Sequence, residues 1–246
     1  DGTGDSTDFA GGLIATAPSG ISAQGTVKAD GGSGVLTLGD SDTGVTVAAD
    51  LTVGGTSTGT ISLGDATLAD GATLTVGAGA ANQVDLDAIT GTAGSTASNL
   101  TINSTGAVTV AEAVGTDIGI ATITQSGGTT FSANVATGTS VVLTDTTGTI
   151  AFSGDLTTPT LTTAGQGYSV SLLGGSTITN AATFSNTGTT QIGDGTGDTN
   201  TFNGGVTATA GAVTAAGSIV TSTDNLALGA VTLVDGQNLT LDTANS

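Results

Sequence analysis

The chain has 246 residues and a formal net charge of −19, and Lys28 is its only cation. A surface so poor in Lys and Arg excludes nucleic acids and anionic membranes as partners, because both are bound through basic side chains. The absence of Cys removes disulfides and thiolate metal sites, and no apolar run approaches the roughly 20 residues that span a membrane.

Short runs in which apolar residues alternate with Thr or Ser recur along the chain and are bounded by Gly, Asp or Asn. They lie at 35–38, 45–47, 51–53, 61–63, 74–76, 100–102, 108–110, 123–124, 141–144, 169–172, 231–233 and 239–241. A period of two places the aliphatic side chains on one face of a strand and the hydroxyls on the other. The best candidate for a helix, at 111–114, is too short to be stable alone. The sequence therefore predicts an all-β protein.

Two all-β architectures compete for this pattern. An antiparallel β-sandwich needs longer strands and larger core residues, whereas a parallel β-solenoid needs short strands, frequent turns and small aliphatic side chains. Turn signals come every 6–12 residues here, which favours the solenoid and leaves β-sandwich repeats as the alternative. Coils of about 20–28 residues predict roughly ten coils and, at about 4.8 Å per coil, a rod about 50 Å long. We expect Tyr168 and the five Phe residues to fill its core.

The segment DGTGDSTDFAGGLIATA at 1–17 returns at 194–210 as DGTGDTNTFNGGVTATA, with 11 of 17 positions identical. A second pair follows in the same order, at 63–75 and 228–240. The offset is smaller for the second pair than for the first by about 28 residues, roughly the length of one coil. We interpret residues 1–246 as a single solenoid, with 1–193 as one long repeat and 194–246 as the start of a second copy. The first copy then carries one extra coil, which contains residues 39–44.

Acidic side chains in Gly-rich turns are the candidate ligands for a metal ion. Ca²⁺ takes six to eight oxygen ligands, including backbone carbonyls. The candidates are Asp194, Asp198 and Asn200 in a D-x-x-x-D-x-N spacing, together with Asp1, Asp5, Asp40 and Asp42. This spacing differs from the EF-hand loop and from the nonapeptide of calcium-binding solenoids. The alternative is that Asp is a turn former that keeps the rod soluble, so that no cofactor is required.

The Gly-, Thr- and Asn-rich runs at 122–156 and 167–195 resemble the β-strand-repeat passengers of bacterial surface proteins, a group that includes filamentous-haemagglutinin and autotransporter adhesins. This resemblance covers most of the chain and is compositional. It implies a right-handed parallel β-solenoid at a secreted, cell-surface or matrix location.

Neither end of the predicted solenoid carries a cap, and open sheet edges favour pairing with further strands. We expect the chain to be a structural subunit of an extracellular fibre, filament or surface layer that stacks head to tail on copies of itself. The alternatives are a rod segment of a large secreted adhesin, covered by adjoining repeats of the same polypeptide, and an ice-binding solenoid with rows of outward Thr. We expect no enzyme activity, since the chain lacks His, Cys and the aromatic platforms of glycosidases.

Overall fold

The computed structural model describes residues 2, 4–40, 42–115 and 117–243. In these residues the chain forms 31 β-strands and no helix, and the strands pair in parallel to build a β-solenoid. The predicted fold class is confirmed, and the β-sandwich alternative is wrong, because a sandwich requires antiparallel neighbours. The antiparallel pairing recorded in the described residues is an isolated bridge between Asp40 and Thr43 in a turn.

Each coil visits three ladders of strands, which we call faces A, B and C in the order of the winding. Face A contains β1 (Ser6–Asp8), β8 (Thr73–Val76), β11 (Ser98–Asn103), β14 (Ile118–Gln125), β17 (Ser140–Leu143), β20 (Thr160–Thr163), β23 (Ala182–Phe184), β26 (Val206–Ala208) and β29 (Leu226–Leu228). Face B contains β2 (Leu13–Ala15), β4 (Leu36–Leu38), β6 (Ile61–Leu63), β9 (Val84–Leu86), β12 (Val108–Val110), β15 (Thr129–Phe131), β18 (Thr149–Phe152), β21 (Ser169–Leu172), β24 (Thr190–Ile192), β27 (Val213–Ala215) and β30 (Val231–Leu233).

Face C contains β7 (Ala66–Leu68), β10 (Ile89–Gly91), β13 (Val114–Gly115), β16 (Val135–Ala136), β19 (Leu156–Thr158), β22 (Ser176–Ile178), β25 (Thr199–Phe202), β28 (Gly217–Thr221) and β31 (Leu239–Asp242). Two long strands, β3 (Ile21–Lys28) and β5 (Val45–Gly54), lie first on face C and then on face A. They join these two faces into one 20-stranded sheet, whereas face B forms a separate sheet of 11 strands.

With β3 and β5 counted on both faces, the described residues form eleven complete coils, slightly more than the predicted ten. Coil length varies along face B. A short coil separates the paired positions Val213 and Val231, and a longer coil separates the paired positions Leu36 and Ile61. Most strand pairs keep their register in spite of this variation because the length differences fall mainly in the corners, and the register shifts within the pairs β3–β5 and β11–β14.

The interior of the solenoid consists of stacked side chains from equivalent positions in successive coils. Four of the five Phe residues and Tyr168 are buried, as predicted, whereas Phe9 is only half-buried because it lies in the first coil. Phe131 and Phe152 stack in neighbouring coils with ring centroids 4.9 Å apart. The Tyr168 hydroxyl donates to the carbonyl of Leu143 at 2.8 Å, and burial raises its pKa to about 12.

The two copies of the repeated sequence lie on different faces. Residues 6–8 are on face A, but the matching 199–202 are on face C, and the matched segments 61–63 and 226–228 lie on faces B and A. Every matched strand of the second copy lies one face earlier in the order A, B, C than its counterpart in the first copy. From 6–8 to 61–63 the chain advances seven faces, and from 199–202 to 226–228 it advances four. The difference of three faces equals one coil.

Candidate functional site

The first coil leaves the interior of the solenoid open to solvent. Its inward side chains line a depression of about 460 Å³. The lining includes Phe9, Leu13, Ala15, Ile21, Ala23, Val27 and Leu38, with Thr7, Ser22 and Gln24. Within the described residues, β1 and β2 each pair with another strand on one side only. This end therefore combines an apolar hollow with open backbone edges.

The last described coil exposes the same kind of surface from the opposite direction. Val231, Leu233 and Leu241 are 38%, 53% and 51% exposed. The residues paired with them one coil earlier, Val213, Ala215 and Ile219, are buried. These three side chains face inward like their partners, and they are exposed because no described coil covers them.

In the acidic turn at 194–198, backbone N–H groups donate to a carboxylate of the same turn. The Asp198 Oδ2 atom accepts N–H bonds from Asp194 and Gly195, both at 2.8 Å. Burial and the neighbouring Asp198 carboxylate raise the pKa of Asp194. The structure thus brings Asp194 and Asp198 together, as the sequence suggested, and it supplies N–H donors to the Asp198 carboxylate.

Asn200 does not join this turn. Its side chain is fully buried inside the solenoid, and its Oδ1 accepts a hydrogen bond from Ser176 Oγ at 2.8 Å. Its Nδ2 has no partner. The D-x-x-x-D-x-N spacing placed Asn200 with the two Asp residues, but Asn200 lies on β25 with its amide turned to the core. Sequence spacing alone could not reveal this orientation.

The remaining predicted ligands lie in other coils. The Asp5 Oδ2 atom accepts the N–H of Gly2 at 2.7 Å, which repeats the Asp198 turn, whereas Asp1 lies outside the described residues. The Asp40 Oδ1 atom accepts the N–H of Asp42 at 3.0 Å in a separate turn. Over the described ranges, no group of three or more acidic side chains is placed to hold a metal ion.

Sequence reasoning missed a second use of the carboxylates, which is to connect coils. Several Asp side chains accept a backbone N–H from the turn one coil later along the chain. The pairs are Asp8 with Asp30 (3.1 Å), Asp30 with Thr56 (3.0 Å), Asp50 with Thr73 (2.8 Å), Asp65 with Ala88 (3.2 Å) and Asp70 with Thr96 (2.8 Å). In the sequence, each such contact corresponds to an Asp that precedes a turn by the length of one coil. Because coil length varies along the chain, this spacing is not constant and is hard to recognise.

Outward Thr residues form a ladder on face A. Strand pairing aligns the following residues in successive coils: Thr26, Thr52, Thr75, Thr101, Thr122, Val142, Thr162, Thr183 and Thr207. Val142 is the one position in this series that is not Thr. A second outward Thr lies two residues away from Thr75, Thr122, Thr162 and Thr207, at 73, 124, 160 and 209, whereas the other four Thr residues of the ladder have no such neighbour. The paired hydroxyls are therefore interrupted along the ladder and do not form a continuous two-residue-wide array.

No family model, curated protein or solved structure matches this chain. The described part of the chain contains no helix long and apolar enough to cross a membrane. The structure defines the class of the protein as a parallel β-solenoid with repeated coils.

Proposed function

We propose that the chain is a structural, non-catalytic element of an extracellular fibre or surface layer, in which solenoids stack end to end. The observation that carries this proposal is the exposure of core positions in both end coils. Val231, Leu233 and Leu241 at one end, and the hollow around Leu13 and Ile21 at the other, are the two halves of a coil-to-coil contact.

The energetics favour association along the rod axis. Burying one Leu or Val side chain contributes about 1.5–3 kcal/mol, and an end-to-end joint would bury several of them together with six open strand edges. The whole chain carries a net charge of −19, which opposes lateral association by repulsion. A contact between two different ends does not close on itself, so repeated stacking produces a filament.

A second candidate is a rod segment of a larger secreted adhesin, in which adjoining repeats of the same polypeptide cover the ends. The partial second copy of the repeat, 194–246, supports this alternative. Both candidates use the same stacked coils, but they differ in whether separate chains associate.

The test is electron microscopy and sedimentation of the purified 246-residue chain, compared with the double variant Leu233→Asp and Leu241→Asp. We expect polymers from the unmodified chain and monomers from the variant, because two carboxylates in the joint would have to be desolvated. Thr162→Asp, at an exposed position in the middle of face A, is the matched control and should still polymerise. An unmodified chain that stays monomeric at high concentration contradicts the fibre proposal and favours the adhesin segment.

A further inference from the structure

We infer that the two ends join in a single rotational setting, in which face A of one copy continues face A of the next, B continues B and C continues C. This inference rests on the proposed function and specifies the partner as a second copy of this chain. In this setting Leu13 stacks on Val231, Ala15 on Leu233 and Ile21 on Leu241. The described chain contains ten coil-to-coil contacts, and the joint would be an eleventh contact of the same kind.

The hollow at the first coil matches the side chains that are exposed at the last coil. The hollow is lined by Leu13 and Ala15 of face B, by Ile21 and Ala23 of face C, and also by Thr7 and Val27 of face A. At the other end, Val231 and Leu233 belong to face B and Leu241 belongs to face C. The protruding residues lie on the two faces that supply most of the apolar lining of the hollow, and the most exposed of the three side chains, Leu233, meets the small Ala15.

Face A supplies the second argument, because its ends are not interchangeable with those of B and C. At the first coil, β1 presents Ser6, Thr7 and Asp8, a polar strand. In the inferred setting this strand meets β29, whose Leu226 and Leu228 are already partly buried, whereas a rotation by one face would place the more exposed Leu or Val side chains of the last coil against it. That setting would desolvate polar groups without forming the apolar contact.

The corners give the third argument. In the first coil, residues 16–20 connect face B to face C, and in the last coil the equally long segment 234–238 makes the same connection. Both connections contain a turn, with the N–H of Gly20 donating to Ala17 O at 2.9 Å and the N–H of Gln237 donating to Val234 O at 3.0 Å. In contrast, the A-to-B connections, 9–12 and 229–230, differ in length. The outlines of the two ends therefore superimpose best with the B-to-C corners aligned.

Because the chain has no Cys, engineered cysteines can report this setting directly. Ile14 and Thr232 point outward on face B of the first and last coils and are exposed. In the inferred joint their Cα atoms would lie about 4.8 Å apart, within the range of a disulfide. The double variant Ile14→Cys and Thr232→Cys should form a ladder of disulfide-linked multimers on a non-reducing gel after mild oxidation.

Two mismatched double variants report the other rotations. Ser22→Cys with Thr232→Cys reports the rotation in which face B of the last coil meets face C of the first, and Ile14→Cys with Thr240→Cys reports the opposite rotation, in which face C of the last coil meets face B of the first. We expect at least tenfold less multimer from either. Single-cysteine variants cannot extend beyond dimers, and abundant dimers of Thr232→Cys alone would indicate a head-to-head contact and overturn the inference.

The outcomes separate this inference from the proposed function. Filaments in the microscope, with multimers from a mismatched pair or from no pair, would overturn the inferred setting and leave the fibre proposal standing. A chain that sediments as a monomer in every variant would overturn both.

Discussion

Gly217 packs its α-carbon against the carbonyl oxygen of Asp198, at a distance that leaves no room for a Cβ atom. The N–H of Ser218 donates to the same carbonyl at 2.8 Å. The pair Gly25 and Asp5 repeats this arrangement in the first coil, where the N–H of Thr26 donates to Asp5 O at 2.8 Å. The turn that begins each copy of the repeat therefore requires a glycine in the strand one coil above it.

Substitution of Gly217 by Ala tests this contact. Gly217 has a φ of 75°, and an added Cβ would also lie 2.7 Å from the Gly195 carbonyl oxygen. We expect a loss of about 2 kcal/mol or more in the free energy of unfolding, since conformational strain and overlap with backbone add. Gly236→Ala is the matched control, because Gly236 has a φ of 70° and nothing within 4 Å of a Cβ. Equal losses in urea denaturation would mean that the contact with Asp198 contributes nothing.

Asn200 and Ser176 form a buried polar pair that leaves the Asn200 Nδ2 atom without a partner. Ser176→Ala alone removes the donor to Asn200 Oδ1 and should destabilise the fold by about 1–3 kcal/mol. The double variant Ser176→Ala and Asn200→Val removes every polar side-chain atom of the pair and should recover that loss or exceed the stability of the parent chain. Urea denaturation of both variants and the parent chain decides this. A double variant less stable than the single one would show that the amide has an unseen partner.

The pH dependence of stability should differ in sign between Asp70 and Asp194. The N–H groups of Thr96 and Ser95 hold the pKa of Asp70 below its usual range, so its contribution is present above about pH 4 and is lost as the pH falls through the lowered pKa. Burial and the Asp198 carboxylate raise the pKa of Asp194, so protonation of Asp194 stabilises the folded state as the pH falls through the raised value.

Thermal melting between pH 2 and pH 7 measures both effects against the parent chain. Asp70→Asn should lower the melting temperature at pH 7 and have little effect at pH 2. Asp194→Asn should raise it at pH 7, and the difference should shrink on acidification. Two variants with the same sign at pH 7 would contradict this assignment.

The sequence leaves two alternatives for the acidic turns, calcium binding and a purely structural use of Asp, and the turns themselves suggest how to test them. Since N–H donors already engage the carboxylate of Asp198, we expect the melting temperature of the chain to be the same in EDTA and in millimolar CaCl₂ at constant ionic strength. A rise that is specific to Ca²⁺ over Mg²⁺, and that is lost in Asp198→Asn, would instead establish a calcium site there.

Local sequence determined much of this protein. Alternation such as Leu36-Thr37-Leu38 predicted the strands, Gly and Asp predicted the turns, and small aliphatic residues predicted a narrow core. These features are local because a strand period of two and a turn preference depend on neighbouring residues. The candidate site was predicted less well: Asp194 and Asp198 meet, whereas Asn200 turns to the core.

The tertiary structure alone decided on which face each segment lies. The two copies DGTGD at 1–5 and 194–198 precede strands on faces A and C, although their sequences are identical. The face is set by the combined length of all preceding corners, and coil length varies along the chain, as the pairs Val213 with Val231 and Leu36 with Ile61 show. The face on which a segment lies therefore depends on the lengths of all the corners before it, and a local sequence pattern does not carry that information.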